Sequence, residues 1–260
     1  MYPTNSYYRD NNQKHNIIKV CLTILGLALF FLQPATAWAV IIGQVDTFES
    51  GSRENWQMGQ PSITTSNITN LFTGGPAGTG DNYLEVSADG STSGGGKLTF
   101  FNQSQWTGDY LAAGITAISM DLINFSSAEV LNIRLGINGG VTDPNNPGGV
   151  IGGQFVTSAS ASLISGSGWV HVVFSLNLVD LMSVSGRSGV PGNDALATLG
   201  NVKELRLLNS AVPDWSGQPV IATLGIDNVT AVVPIPSALL LFISGLIGLC
   251  LQPLRDRRNH

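Results

Sequence analysis

Strand periodicity dominates the middle of the chain. In Val130–Ile137, the residues Leu131, Ile133, Leu135 and Ile137 alternate with Asn132, Arg134 and Gly136. A period of two buries one face of a strand and wets the other. Trp169–Leu176 repeats the pattern with Val170, Val172, Phe174 and Leu176 on one side and His171 on the other. Ile115–Phe125 does so with Ile118, Met120 and Leu122. NYLEVSA (82–88), KLTFFN (97–102), QFVTSA (154–159), VKELRLL (202–208) and Leu224–Val232 add further strands. Turn formers separate them at Gly74–Asn82, Ala88–Gly96, Asp143–Gly149 and Ser185–Asp194. Apart from a short helical turn predicted at Asp194–Leu199, no 3.6-residue period appears. Short strands without a βαβ rhythm predict an all-β fold, an antiparallel β-sandwich over residues 40–232 as one domain.

Composition agrees with this. Only 11% of the 260 residues are charged, whereas 31 are glycine. The formal charge of −5 understates the middle of the chain, where 15 acidic residues face 6 basic ones between Val40 and Val233. Nucleic-acid binding rests on neutralising phosphates with Lys and Arg, so this acidity argues against it. The two cysteines, Cys21 and Cys250, both sit in terminal apolar segments, which leaves the sandwich without disulfide, zinc knuckle or cysteine nucleophile.

The ends read as targeting segments. Arg9, Lys14 and Lys19 precede the apolar run Val20–Leu32, and Ala37 and Ala39 then form an A-x-A site. That order predicts a signal helix in residues 1–39 with cleavage after Ala39. At the other end an apolar run over Ala238–Leu251 is followed by Arg255, Arg257 and Arg258. Its length is at the lower limit for a transmembrane helix, and the arginines would stay cytoplasmic. The order Val233-Pro234-Ile235-Pro236, then Ser-Ala-Leu, then small residues and leucines, then arginines, resembles the PEP-CTERM sorting signal. Ile235 stands where that family's namesake has glutamate. The resemblance covers residues 233–260 and implies recognition by exosortase, a membrane transpeptidase. It also implies export through the inner membrane, transient anchoring, and delivery to the cell surface or extracellular matrix of a Gram-negative bacterium.

The sandwich itself resembles jelly-roll, galactose-binding-like carbohydrate-binding domains. VDTFESGSRENWQMG (45–59) is similar to their opening strand, and IDNVTAVV (226–233) to their closing one. The resemblance implies a structural calcium ion shared by the two, with Glu49 and Asp227 as the matching ligands and Asp46 and Asn228 as neighbours. No other cofactor is required.

Catalytic chemistry is sparse. His171 is the one histidine between the terminal segments, lies mid-strand, and has no G-x-S-x-G elbow to accompany it. GGPAGTG (74–80) is followed by a strand and reads as a turn, since a phosphate loop opens a helix. The tryptophans offer more, because sugar rings stack on amphipathic aromatic faces. Trp106, Tyr110 and Trp215 lie in loop-like contexts, which makes them the expected glycan-binding residues. The expectation is a non-enzymatic, polysaccharide-binding surface or matrix protein. The alternatives are a secreted glycan-active enzyme working through a carboxylate pair and a purely structural coat protein.

Overall fold

The computed structural model describes residues 39–59, 67–92, 94–146, 148–185 and 190–234. Residues 1–38 of the signal segment and the tail from Ile235 onward lie outside the described residues. Those two helices, the cleavage residue Ala37, Ile235, Pro236 and the three tail arginines are therefore expectations from sequence. Among the described residues no helix is long and apolar enough to cross a membrane.

Among the described residues thirteen strands form two antiparallel sheets. They are β1 (Val45–Asp46), β2 (Gln57–Met58), β3 (Ile68–Leu71), β4 (Tyr83–Asp89), β5 (Thr99–Asn102), β6 (Ala117–Asn124) and β7 (Leu131–Thr142). Then follow β8 (Val150–Thr157), β9 (Ala161–Leu163), β10 (Val170–Ser175), β11 (Leu181–Ser183), β12 (Val202–Asn209) and β13 (Ile221–Val232). The first sheet runs β10-β6-β13-β4-β3, with β1 also on β13. The second runs β11-β8-β7-β12-β5-β2, with β9 also on β7. A short α-helix, α1 (Ala195–Leu199), follows Asp194, whose carboxylate accepts the Ala197 N–H. It falls where the predicted turn stood.

The alternating residues meet between the sheets. Ile118, Met120 and Leu122 of the first sheet and Leu131, Ile133, Leu135 and Ile137 of the second share one core. Burying such side chains contributes roughly 1.5–3 kcal/mol each before conformational entropy is charged against it. On β10, Phe174 is buried while Val170 and Val173 are exposed, because β10 is the edge of its sheet. The strands that periodicity did not predict, β1, β2, β3, β9 and β11, have two to four residues each and are too short to display a period.

Two polar devices close the sandwich. Arg134 is buried on the outer face of the second sheet. Its guanidinium donates to the carbonyls of Ser210, Thr157, Ser158 and Ala211 at 2.6–3.0 Å, clipping two loops to β7. At one end of the core, Asp46 is buried, and its Oδ2 accepts the indole N–H of Trp56 at 2.8 Å and of Trp106 at 2.6 Å. Gln105 Nε2 adds a third donor at 3.1 Å. Burial pushes the Asp46 carboxyl up against these hydrogen bonds. Glu54, desolvated beside that charge, is pushed up to about 7. Its residue holds a left-handed φ of 47° in the turn that carries Trp56.

Asp46→Ala leaves two indole donors without their acceptor, so it is expected to cost about 2–5 kcal/mol in urea unfolding at pH 6. Asp46 and Glu54 bind their protons more tightly folded than unfolded. Stability should therefore fall as pH rises from about 4.5, the ordinary glutamate value, through about 7. Urea midpoints measured from pH 4.5 to 8 should show this slope, and Glu54→Gln should make it shallower without abolishing it, since Asp46 and Asp227 also hold raised carboxyls. A slope of the opposite sign across that window would contradict the assignment.

Candidate functional site

On the outer face of the second sheet, cross-strand register aligns polar side chains from sequence-distant strands. Glu204 of β12 lies opposite Asn138 of β7, which lies opposite Gln154 of β8. Gln103, just past β5, donates from Nε2 to Glu204 Oε2 at 2.7 Å and continues the row. The adjacent row runs Gln57, Phe101, Arg206, Gly136 and Val156 across β2, β5, β12, β7 and β8. Leu205 and Leu207 point into the core, so β12 presents Glu204 and Arg206 together on the opposite face.

Arg206 ties the two rows together. Its Nε donates to Glu204 Oε1 at 2.6 Å and its Nη1 to the Trp215 carbonyl at 3.1 Å. The guanidinium carbon lies 4.3 Å from the Trp215 ring centroid and 5.6 Å from that of Phe101. Burial pulls its pKa down while Glu204 pulls it back up, and the side chain keeps its charge. Gly136 makes room for the indole, since a Cβ there would meet Trp215 Cζ3 at 2.9 Å. The ring also packs on Val156, Val184 and Leu208, a small apolar cluster separate from the main core.

This placement corrects the expected roles of three aromatics. Trp106 and Tyr110 are fully buried: Trp106 serves Asp46, and the Tyr110 hydroxyl donates to the Trp106 carbonyl at 2.8 Å. Burial pushes the Tyr110 phenol strongly up. Trp215 is 2% exposed, with its ring covered by its neighbours. None of the three presents a free face on which a sugar could stack. What local sequence did carry is the Glu204-x-Arg206 pair on the wet phase of a strand. Gln103, Asn138 and Gln154 join it only through register, which no local pattern encodes.

Asp227 stands on β13 of the first sheet and Glu49 in the turn after β1. Glu49 is exposed and its Oε1 accepts the Asn82 N–H at 2.9 Å. Asp227 is buried, and its Oδ1 accepts the Asn228 N–H at 2.7 Å. Its carboxyl is pushed up to about 7 by burial first, then by the charges of Asp81, Asp121 and Glu49 around it. The Phe48 and Asn228 backbones both adopt left-handed φ values, 58° and 51°, beside these carboxylates. Asp46, the expected neighbour, is instead committed to the tryptophans. Among the described residues no three His, Cys, Asp or Glu side chains converge closely enough to hold a metal by themselves. A cation here would need main-chain carbonyls to complete its shell, which calcium accepts.

No family model matches the chain, and no curated protein matches it. Among solved structures it is similar to a family 11 carbohydrate-binding module from Clostridium thermocellum in complex with a mixed-linked tetrasaccharide. The identity is 20%, over 75% of this chain and 98% of that one, with a TM-score of 0.47. A family 22 carbohydrate-binding module of a Clostridium thermocellum xylanase is 14% identical over 74% of this chain and 96% of that one, with a TM-score of 0.41. An exo-β-agarase is 12% identical with a TM-score of 0.48, and the matched part is 26% of its length.

Proposed function

We propose that this β-sandwich is a non-catalytic polysaccharide-binding domain that holds a glycan chain across the outer face of its second sheet. The observation that carries this reading is the register-aligned row Gln103–Glu204–Asn138–Gln154, fastened to Arg206 beside Trp215 and Phe101. Amides, a carboxylate and a guanidinium are planar groups that pair with adjacent sugar hydroxyls. Hydrogen bonds among them, together with strand pairing, fix their positions before a ligand arrives, which lowers the ordering cost of binding. Glu204 and Gln154 are buried and brace the row from within, whereas Gln103 is exposed and Gln57, Asn138 and Arg206 are half-buried, so these four are the groups a ligand can reach. The terminal segments supply the setting: export, recognition of the Val233–Pro236 motif by an exosortase-type transpeptidase, and release to the surface or extracellular matrix. Calcium held by Glu49, Asp227 and backbone carbonyls would fasten the first strand region to the last and relieve the carboxylate crowding at Asp227.

Affinity electrophoresis of the 40–232 domain through gels containing barley β-glucan, xylan, agarose or laminarin tests the binding site. Retention should weaken about ten-fold in Arg206→Met and in the double variant Gln103→Ala/Asn138→Ala. Release of new reducing ends by the wild-type protein would overturn the non-catalytic reading.

Calcium has a separate test in thermal melts. Chelation at pH 7.5 should lower Tm by several degrees, and Asp227→Asn should abolish that response. Because the ion displaces the raised proton of Asp227, the stabilisation should be larger at pH 8 than at pH 5. A Tm indifferent to both chelator and added calcium removes the ion from the account.

A further inference from the structure

The outer face of the first sheet carries a second constellation, on the opposite side of the sandwich. Trp169 precedes β10 and stands beside Ile123 of β6, since Val170 pairs with Leu122. Its side chain reaches across β6 to Gly225 on β13, two strands away. A Cβ on Gly225 would meet Trp169 Cη2 at 3.0 Å, Phe125 Cε2 at 2.8 Å and Ile123 Cγ2 at 2.6 Å. Strands are spaced about 4.8 Å apart, so an indole reaching that far lies along the sheet rather than projecting from it. Its Nε1 donates to the Gly74 carbonyl at 3.0 Å, which fixes the ring's orientation. Phe125 and Tyr83 brace it, with centroids 6.4 and 5.4 Å away and near-perpendicular planes. Phe125 is 43% exposed and Trp169 half-buried, unlike the other tryptophans of the sandwich.

Beside this surface stands a positioned imidazole. His171 follows Trp169 by two residues, so both project on the same side of the strand. Its Nδ1 contacts Asp121 Oδ1 at 2.8 Å, and Asp121 Oδ2 in turn accepts from Asn228 Nδ2 at 2.9 Å. The His171 side chain is 60% exposed, which leaves Nε2 toward solvent. Neither the core nor the row on the other sheet uses any of these groups.

We infer that Trp169 and Phe125, with His171 at their side, form a second glycan contact that stacks one pyranose ring and hydrogen-bonds its hydroxyls. This rests on the polysaccharide reading for the class of ligand. The surrounding charges favour a neutral polyhydroxylated chain. Glu85, Asp121 and Asp227 share this face and His171 is already paired to Asp121, so a phosphate polymer would meet carboxylates. Aromatic stacking with flanking hydrogen-bonding groups is the chemistry that a pyranose offers and accepts. Two contacts on opposite faces would let one molecule join two glycan strands.

Affinity electrophoresis against the same four polysaccharides tests this, together with intrinsic fluorescence during titration of whichever one retains the protein. Trp169→Ala should weaken retention about five-fold or more and remove most of the ligand-dependent fluorescence change. His171→Ala, an exposed substitution that leaves the fold intact, should weaken it about three-fold. The mixture of wild-type protein and polysaccharide should become turbid or more viscous, and Trp169→Ala should not. If Trp169→Ala and His171→Ala retain normally while Arg206→Met does not, the second contact is wrong and the first stands. If the reverse holds, the first is wrong and the second stands. Absence of retention of the wild-type protein in all four gels overturns both.

Discussion

A single buried carboxylate organises one end of the sandwich. Asp46 belongs to a two-residue strand that could not hold its place by ladder hydrogen bonds alone. Its oxygen gathers the indole N–H groups of Trp56 and Trp106, and thereby joins the opening strand, the turn after it and the loop before β6. An ion in an apolar site is costly unless its donors are in place, and here three donors converge on one oxygen. The tryptophans are thus fixed by the acid as much as by packing. Around that plug the two sheets can close without a disulfide, which the cysteine-free sandwich does not possess.

The remaining polar investment lies on the two outer faces. Arg134 and Arg206 both sit on the outside of the second sheet, yet they do different things. Arg134 spends its guanidinium on four backbone carbonyls and holds loops. Arg206 is held by one carboxylate and one carbonyl and flanked by two rings, with its side chain 13% exposed.

Alternation made most of the sandwich legible in the sequence. β6, β7, β10 and β12 follow the period of two because one face of each packs in the core, and α1 forms where the sequence predicts a short helical turn at Asp194–Leu199. The short strands did not show, since two or three residues carry no period and their pairing is imposed by neighbours. The candidate sites were harder. Trp106, Tyr110 and Trp215 sit in stretches with turn-like composition, yet loop membership says nothing of whether a ring folds inward. Asp46 draws Trp106 inward, and the missing side chain at Gly136 admits Trp215 to the sheet face. Conversely, Asn138, Gln154 and Gln103 are unremarkable in isolation and acquire meaning only from cross-strand register.

β13 is the last strand among the described residues, yet it lies inside its six-stranded sheet, between β6 and β4, with β1 on its far half. Until Ile221–Val232 is present, β4 and β6 each lack a neighbour and half of the core has no wall. The sandwich therefore cannot be completed piecemeal from the first residue onward. Its closing step pairs Val45 with Thr230 and Asp46 with Val229, segments from opposite ends of the sandwich, a topology that slows folding. Such a chain stays open for as long as its final strand is withheld, and the keystone is supplied only after every other strand of both sheets.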